Sequence, residues 1–408
     1  MQAGNLIRMI SQRYLGPDLA QEQIRLPPPP PSVADGEITL GDMLYQGRPV
    51  GKIGLKPKEL TRHVGIFATT GAGKTNVAWQ ILRELMGLGI PFLAIDWKRS
   101  YRNLLLLPGF KDLKVYTIGR PVRPLSWNPL RPPPGTDLHT YIQILCEILE
   151  RSHVSGQGVA DVFAEHAAAE FEARDGDPEE KGYPTLRDVR LRVERSRATG
   201  RKALWRESCL RILRTFTFGP VMESFNARLP VKLERLLREP VVLELDLALP
   251  HNVRTFFAEV VLRWIHLYRL HHGETAGLRH VLILEEAHNV FGNPAWNSQH
   301  LPGLENIYRE IRSFGQGIVA LTQHPALLPI YLLGNTHTLV FLSLNHEADI
   351  LAARQALFLD RYQDRYLDLL KTGQGIVKVQ GRVPATLVRF PHIEVKAGAV
   401  TDEVLMQK

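Results

Sequence analysis

Residues 64–75 read Val-Gly-Ile-Phe-Ala-Thr-Thr-Gly-Ala-Gly-Lys-Thr. In this stretch an apolar run enters a glycine-rich turn, and the residues that follow, 76–87, have the apolar spacing of a helix. A second apolar run at 90–95 predicts another buried strand. A strand, a loop, a helix and a strand in this order form a βαβ unit, which implies a parallel sheet.

The glycine-rich turn matches the phosphate-binding pattern G-x-x-x-x-G-K-[ST], with Ala68 in place of the first glycine. Glycines let successive N–H groups face a phosphate, and the following helix adds the partial positive charge of its N-terminus. We predict that Lys74 reaches the β- and γ-phosphates of a nucleotide and that Thr75 ligates Mg²⁺. A chance glycine turn is the alternative. The residues predicted to bind the nucleotide are Thr70, Gly71, Ala72, Gly73, Lys74, Thr75 and Asn76.

A further apolar strand, residues 281–284, ends in the paired carboxylates Glu285 and Glu286. This is the Walker B arrangement, in which the first carboxylate holds Mg²⁺ through its water shell. We predict that role for Glu285, although aspartate is commoner at this position. Glu286 is predicted to accept a proton from the attacking water. The alternative is that two glutamates at the start of a helix complement its dipole.

The strand predicted at 317–321 ends in Thr322 and Gln323. Gln323 is the candidate to touch the γ-phosphate or to position water, with an ordinary strand-end turn as the alternative. Just before this strand, Arg309 and Arg312 are candidates to stabilise the charge of phosphoryl transfer, at their own or at a neighbouring subunit's nucleotide. Either arginine could equally be a solvated charge on a helix.

For several other charged or polar groups, the sequence leaves more than one role open. Asp96 ends the strand after the predicted phosphate-loop helix, where it could order Lys98 and the loop or serve structure only. Residues 187–214 carry ten Lys or Arg against three acidic residues, which indicates either a phosphate-binding surface or a solvated helix face. Five histidines lack the spacing of a zinc site: His251, His266, His271, His272 and His288.

The composition sets broad limits on function. The chain of 408 residues is 44% hydrophobic and 23% charged, which excludes a wholly disordered or fibrous protein. Its formal net charge of +8 permits a nucleic-acid partner without requiring one. Two cysteines without metal-ligand spacing exclude a disulfide scaffold and favour a cytoplasmic location. No long apolar run occurs, so we expect no insertion into a membrane.

Changes of pattern along the chain predict five parts. A proline run follows the N-terminal residues, a compact β-rich region then leads into the βαβ unit, and a mostly helical stretch interrupts the strands. The predicted parts are an N-terminal segment with a proline linker (1–36), the first part of the core (37–137), a helical insertion (138–215), the second part of the core with Walker B and sensor (216–390) and a C-terminal tail (391–408).

Taken in order, the motifs resemble those of the HerA/FtsK superfamily, and most closely those of HerA-type ATPases. The resemblance spans residues 38–390 and includes the phosphate loop and the strand that ends in Asp96. It also includes five short stretches, which are Trp-Asn-Pro-Leu at 127–130, Leu-Glu-Glu-Ala-His at 284–288, Arg-Ser-Phe-Gly at 312–315, Thr-Gln-His-Pro at 322–325 and Gly-Asn-Thr at 334–336.

The resemblance implies an α/β fold with a RecA-like P-loop NTPase core, built on a central, mainly parallel sheet. The helical insertion and a short N-terminal β-rich segment would be additions to that core. It implies an ATPase that converts ATP to ADP and phosphate with Mg²⁺. It further implies a helicase-like translocase that assembles as a hexameric ring on double-stranded DNA, commonly with a partner nuclease.

Carried over residue by residue, the resemblance gives Lys74 the nucleotide role, Glu285 and Glu286 the Walker B roles, and Gln323 the role of a polar sensor. Arg312 falls on the arginine of the family's Gly-Arg-Lys stretch, which makes it the candidate to act in trans. HerA proteins usually carry an N-terminal β-barrel that helps to dock the nuclease. We expect the segment before residue 37 to be too short for such a barrel, so another effector, as in phage defence, is a second possibility.

Three functions are therefore compared. The first is a DNA-translocating motor that serves DNA end processing or phage defence with a nuclease or other effector. The second is a peripheral ATPase of a conjugation or secretion machine. The third is a nucleotide-gated scaffold for a defence effector. The paired Glu285 and Glu286 favour hydrolysis over simple gating.

Overall fold

Eleven strands form one sheet in the computed structural model, which describes residues 24–292, 302–396 and 398–407. The described residues therefore do not include residues 1–23 of the predicted N-terminal segment or residues 397 and 408 of the predicted tail. The strands are β1 (Ile38–Tyr45), β2 (Arg48–Leu55), β3 (Val64–Phe67), β4 (Phe92–Asp96), β5 (Lys114–Ile118), β6 (Val241–Leu245), β7 (His280–Leu284), β8 (Gln316–Thr322), β9 (Thr338–Phe341), β10 (Gln374–Val379) and β11 (Val383–Arg389).

The order across the sheet is β2-β1-β11-β10-β9-β3-β8-β7-β4-β6-β5. In this order, the seven strands from β9 across to β5 run parallel to one another. On the other side of β9, the strands β10, β11, β1 and β2 extend the sheet, each antiparallel to its neighbour. The predicted α/β class with a central, mainly parallel sheet is confirmed.

Burial on both faces explains why the parallel strands have apolar runs rather than alternating patterns. Every residue of β3, β4, β7 and β8 is buried. Within β4, Leu93 and Ile95 belong to one hydrophobic core, while Phe92 and Ala94 belong to the other. The sheet therefore separates two cores, and the ends of its strands are the places where polar side chains meet.

Helices cover both faces and fill the connections. They are α1 (Pro31–Ala34), α2 (Pro57–Leu60), α3 (Lys74–Gly87), α4 (Leu138–His153), α5 (Gln157–Glu172), α6 (Pro178–Lys181), α7 (Leu186–Arg195), α8 (Gly200–Thr217), α9 (Val221–Phe225), α10 (Leu233–Leu236), α11 (His251–His272), α12 (His288–Phe291), α13 (Pro302–Glu310), α14 (Ile330–Asn335), α15 (Glu347–Leu357), α16 (Tyr366–Leu369) and α17 (Asp402–Gln407). Short 3₁₀ helices span Tyr101–Leu106, Ile311–Phe314 and Pro325–Leu327. Among the described residues, no helix combines the length and the apolar character needed to cross a membrane.

Helices α4 to α10 occupy the chain between β5 and β6. Helices α4 to α8 lie where the helical insertion is predicted (138–215), with α8 ending two residues later, whereas α9 and α10 follow it. The Trp-Asn-Pro-Leu stretch of the family resemblance joins this region to the core. Trp127 is buried and packs edge-on against Phe225 and Phe257. The Asn128 side chain donates to the carbonyl of Pro184 at 2.8 Å. These contacts give the stretch a structural role. The boundaries of the five predicted parts of the chain stay a prediction.

The C-terminal tail is fixed to the core at two places. Near its start, the Asn76 side chain of α3 bonds to the backbone at 391 and 393. Near its end, Asp402 accepts from Arg102 at 2.7 Å and also pairs with Arg120. The tail therefore lies along the same edge of the sheet as the phosphate loop.

His63 fixes the amino end of β3, the strand that leads into the phosphate loop. Its Nε2–H donates to the carbonyl of Tyr308 at 2.7 Å, and its Nδ1 accepts from the N–H of Ile318 at 3.2 Å. Because Nδ1 must accept, the ring is the neutral tautomer with its proton on Nε2. Burial is the main cause that lowers the pKa of His63 to about 4.

We expect the free energy of unfolding to fall as the pH drops from about 6.5 to about 4. In that window His63 is protonated in the unfolded chain, while the native ring stays neutral. Each unit by which the pH falls therefore lowers the free energy of unfolding by about 1.4 kcal/mol. Denaturant titrations of wild type and His63→Asn at several pH values measure the slope. Asparagine tolerates the positive φ of this position, +70°.

The His63→Asn protein should show a shallower dependence on pH than wild type, whatever its absolute stability. His392, an exposed histidine, gives the matched control His392→Asn. Equal slopes for wild type and His63→Asn would contradict the assignment of a neutral, buried ring.

Candidate nucleotide-binding and hydrolysis site

The residues predicted from the motifs, apart from Arg309 and Arg312, meet at the carboxyl ends of β3, β4, β7 and β8. In open parallel sheets this edge is where ligands bind. The strand β3 enters the phosphate loop, and the neighbouring β8 ends beside it, because Phe67 is in register with Thr322. The strand β7 lies between β8 and β4, so the Walker B pair comes close to both.

The phosphate loop has the backbone that its glycines were predicted to allow. Gly71 and Gly73 have φ angles of +83° and +108°, a left-handed region that favours glycine. Helix α3 begins directly afterwards at Lys74, so the N–H groups of its first turn lack intrahelical acceptors. Thr69 anchors the loop, since its N–H donates to the carbonyl of Ser343 at 2.9 Å. This is a cradle for an anion.

Lys74 lies inside this cradle with only 8% of its surface exposed. Within the described part of the chain, its Nζ has no hydrogen-bond acceptor, and the nearest carboxylate oxygen of Glu286 lies 3.7 Å away. Leaving a buried ammonium without a hydrogen bond is costly. A phosphate group would satisfy it, so the residues present fit a nucleotide.

Asn76, also predicted to bind the nucleotide, has its side chain engaged elsewhere. Its Nδ2 donates to the carbonyl of Pro391 at 2.8 Å, and its Oδ1 accepts from the N–H of Ile393 at 2.9 Å. The carboxamide therefore fixes the C-terminal tail to α3. Only the backbone N–H of Asn76 is left as its proposed contribution to phosphate binding.

Glu286 is the most constrained residue of the site. Its φ is +45°, a strained conformation for a glutamate that costs about 1–3 kcal/mol. Its Oε1 accepts from Gln323 Nε2 at 3.0 Å and lies 2.5 Å from Lys98 Nζ. Burial opposes ionisation, but the charge of Lys74 and the bonds from Lys98 and Gln323 outweigh it and lower the pKa to about 2. The carboxylate is therefore ionised and aimed at the loop, as a proton acceptor must be.

Glu285 and Asp96 form a buried acidic pair beside Glu286. Glu285 is 2% exposed and Asp96 is fully buried. Burial raises the pKa of Glu285, and the neighbouring Asp96 raises it further. Two carboxyls in this setting hold full charge only beside a cation. Among the described residues, Glu285 Oε2 has no hydrogen-bond partner, which fits a role toward a divalent cation.

The candidate Mg²⁺ position combines few protein groups. No cluster of three His, Cys, Asp or Glu side chains suited to a metal occurs in the described ranges, which include the five histidines considered from the sequence. Thr75 and Glu285 are therefore the groups proposed to hold Mg²⁺, with oxygen atoms as this ion prefers. Phosphate and water oxygens would complete its shell.

Gln323 connects the phosphate loop to the Walker B pair. Its Oε1 accepts from Thr70 Oγ1 at 2.7 Å, and its Nε2 donates to Glu286 at 3.0 Å. A single carboxamide thus holds both the loop and the proposed base. This position agrees with the sensor role predicted for Gln323, which stays a prediction.

Arg312 lies at the opposite edge of the sheet. It is exposed, in the 3₁₀ helix that precedes β8, and it has no ion pair within the described residues. Next to burial, its charge contributes to the lowered pKa of His63 at the amino end of β3. A strand as long as β8 spans about 20 Å, so Arg312 cannot reach the phosphate loop of its own chain. Arg309 forms an exposed helix pair with Glu305 at 3.4 Å.

Lys98 is the site residue that sequence reasoning missed. The predicted ordering of the loop is present, since Asp96 accepts from the N–H groups of Lys98 and Tyr101 at 2.8 and 2.9 Å. What was not foreseen is that the Lys98 ammonium pairs with Glu286. A lysine two residues after a strand is a weak signal, because its partner depends on β4 lying next to β7.

Two known protein families have models that match separate parts of the chain. The family model described as "Helicase HerA, central domain" matches residues 38–146, from the first residue of β1 into α4, and includes the phosphate loop. The model described as "Zonular occludens toxin (Zot)" matches residues 269–336, which contain the Walker B strand and Gln323. A search of curated protein sequences found no match.

Solved structures share the fold over most of the chain. VirB4 of Thermoanaerobacter pseudethanolicus has a TM-score of 0.64 and 17% identity, covering 89% of this chain and 97% of that chain. The plasmid coupling protein TrwB in complex with the GTP analogue GDPNP has a TM-score of 0.63 and 14% identity, covering 88% and 96%. TrwB in complex with ADP and Mg²⁺ has a TM-score of 0.61 and 13% identity, again covering 88% and 96%.

The family match, the shared fold and the order of the motifs agree. The HerA match lies within the part of the chain where the sequence resemblance was found, and the folds shared with VirB4 and TrwB extend over 89% and 88% of the chain. The resemblance to HerA-type ATPases predicted from the sequence is therefore confirmed over residues 38–146, and the chain shares the fold of VirB4 and TrwB.

Proposed function

We propose that this chain is a cytoplasmic, ATP-hydrolysing motor that forms a hexameric ring and translocates double-stranded DNA. The observation that carries the proposal is the cluster at the carboxyl edge of the sheet. There a buried ammonium with no acceptor among the described residues, that of Lys74, lies 3.7 Å from an ionised carboxylate, Glu286. Gln323 bonds both to that carboxylate and to the loop. Simple binding of an anion does not require the carboxylate, whereas hydrolysis does.

In this proposal each group has a distinct task. The loop N–H groups and Lys74 bind the β- and γ-phosphates of ATP and stabilise the charge that develops on them. Glu286 takes a proton from the attacking water, and Gln323 positions that water or the γ-phosphate. Bound by Thr75 and Glu285, Mg²⁺ supplies charge neutralisation at the phosphates. ADP and phosphate are the products.

A ring is proposed because the candidate arginine cannot act within its own chain. An exposed Arg312 at the amino edge of β8 would meet the phosphate loop of the next subunit in a head-to-tail assembly. Such heterologous contacts close into rings when the rotation permits. The number of subunits, six, comes from the family resemblance alone.

The DNA substrate is supported by charge. Four basic residues of the segment 187–214 pair with acidic side chains, and six others are exposed without an ion pair in the described part of the molecule. Exposed arginines can contact the phosphates of a DNA backbone. The exposed six are Arg187, Arg195, Arg197, Arg201, Arg211 and Arg214. A nuclease or other effector in DNA end processing or phage defence is the partner we propose.

A second candidate is a peripheral ATPase of a conjugation or secretion machine. The fold shared with VirB4 and with TrwB, which is a plasmid coupling protein, favours it. A nucleotide-gated scaffold for a defence effector is less well supported, because the ionised Glu286 suits hydrolysis.

The proposal predicts that linear double-stranded DNA stimulates ATP hydrolysis and that the stimulation fades as salt rises. Turnover should be measured with and without DNA at several salt concentrations. Lys74→Ala is the blank, since losing the buried ammonium should weaken nucleotide binding and abolish turnover. Hydrolysis by wild type that is indifferent to DNA would contradict the translocase and favour activation by a partner protein.

A further inference from the structure

We propose that Lys98 is a second phosphate-binding cation of this site. Its ammonium holds Glu286 in an ion pair and passes to the γ-phosphate when ATP binds, which frees the carboxylate to accept a proton. The inference rests on the proposed hydrolysis of ATP and adds to it a residue that distinguishes ATP from ADP.

The first support is that two ammonium groups converge on one oxygen atom. Lys98 Nζ lies 2.5 Å and Lys74 Nζ lies 3.7 Å from the same Oε1 of Glu286. If Lys74 binds the β- and γ-phosphates, Lys98 is within reach of the terminal phosphate. Lysine is a common phosphate ligand because it acts as a point charge.

The second support is that Oε1 of Glu286 is fully used in this arrangement. It accepts from Gln323 and from Lys98, which occupy its two lone pairs. The other oxygen, Oε2, has no hydrogen-bond partner among the described residues, and His288 Nδ1 lies 3.6 Å from it. Departure of Lys98 would therefore leave one lone pair of Oε1 open, while the bond from Gln323 keeps the carboxylate in place.

The third support is that the backbone of Lys98 is fixed, whereas its side chain is partly exposed to solvent. Asp96 holds the N–H of Lys98 at 2.8 Å, so the residue stays at the end of β4. Its side chain is nevertheless 44% exposed, whereas that of Lys74 is 8% exposed. A long flexible side chain can exchange one anion for another without moving the backbone. The more highly charged γ-phosphate competes with a single carboxylate for this ammonium.

The test measures affinity for a non-hydrolysable ATP analogue and for ADP in wild type, Lys98→Ala and Lys98→Arg. We expect Lys98→Ala to weaken binding of the analogue about tenfold, the size of one charge-assisted contact, and binding of ADP less than twofold. Turnover should fall at least about tenfold, and Lys98→Arg should recover much of it, because the charge is kept. Lys111, exposed and without an ion pair within the described residues, gives the control Lys111→Ala.

A double-mutant cycle separates phosphate contact from support of Glu286. In a Glu286→Gln background the loss caused by Lys98→Ala should persist at about tenfold, since the phosphate contact does not need the carboxylate. A loss that disappears in this background, or an equal loss for ADP and the analogue, would overturn the role of Lys98. Wild type that binds neither nucleotide would overturn the proposed function, and this inference with it.

Discussion

Replacing Glu286 with glutamine is expected to leave ATP bound and to reduce its hydrolysis by at least about 100-fold. Glutamine keeps the shape of the side chain and can still accept the bond from Gln323, but it cannot take a proton from water. Lys74 and the loop are untouched and Lys98 is released toward the phosphates, so the affinity for ATP should not fall. Single-turnover hydrolysis and equilibrium binding, measured on the same preparation, separate the two effects.

A matched control is Glu347→Gln at the exposed start of α15, which removes a carboxylate without an ion pair among the described residues and should behave as wild type. Normal turnover by Glu286→Gln would contradict the assignment of the base. Strongly weakened binding would instead indicate that Glu286 serves mainly to orient the loop through Gln323.

The local part of this site could be predicted from the sequence. The apolar run before the loop, the glycines and the helix that follows are neighbours along the chain, so their geometry follows from local rules. The same holds for Glu285 and Glu286, because an apolar strand that ends in two carboxylates places both at its carboxyl end. The structure adds the left-handed backbone at Glu286, which no residue type predicts.

The contacts between strands could not be predicted in this way. That Lys98 reaches Glu286 depends on β4 pairing with β7, and that Gln323 reaches Thr70 depends on β8 pairing with β3. Such pairings are properties of the whole sheet. Two strands were also not predicted, β5 and β11. Pro384 weakens the strand pattern of β11, since proline cannot donate to a ladder.

Replacing Arg312 with alanine is expected to lower hydrolysis by at least about 1,000-fold while nucleotide binding is retained. The side chain is exposed and lies about 20 Å from its own loop, so its loss should not disturb that loop. An arginine offered by a neighbouring subunit stabilises charge only in the transition state, which explains the expected split between turnover and binding. Arg309→Ala is the matched control, because Arg309 is held in a surface pair with Glu305.

Mixing two inactive proteins decides whether Arg312 acts in trans. In a mixed ring, an Arg312→Ala subunit supplies an intact loop, and a neighbouring Lys74→Ala subunit supplies an intact arginine. With random assembly at equal amounts, about one quarter of the interfaces should combine both intact parts, so activity should return although each protein alone is inactive. If no ratio restores hydrolysis, Arg312 does not complete a neighbour's site. If Arg309→Ala is the inactive variant and is rescued by mixing, the trans role belongs to Arg309.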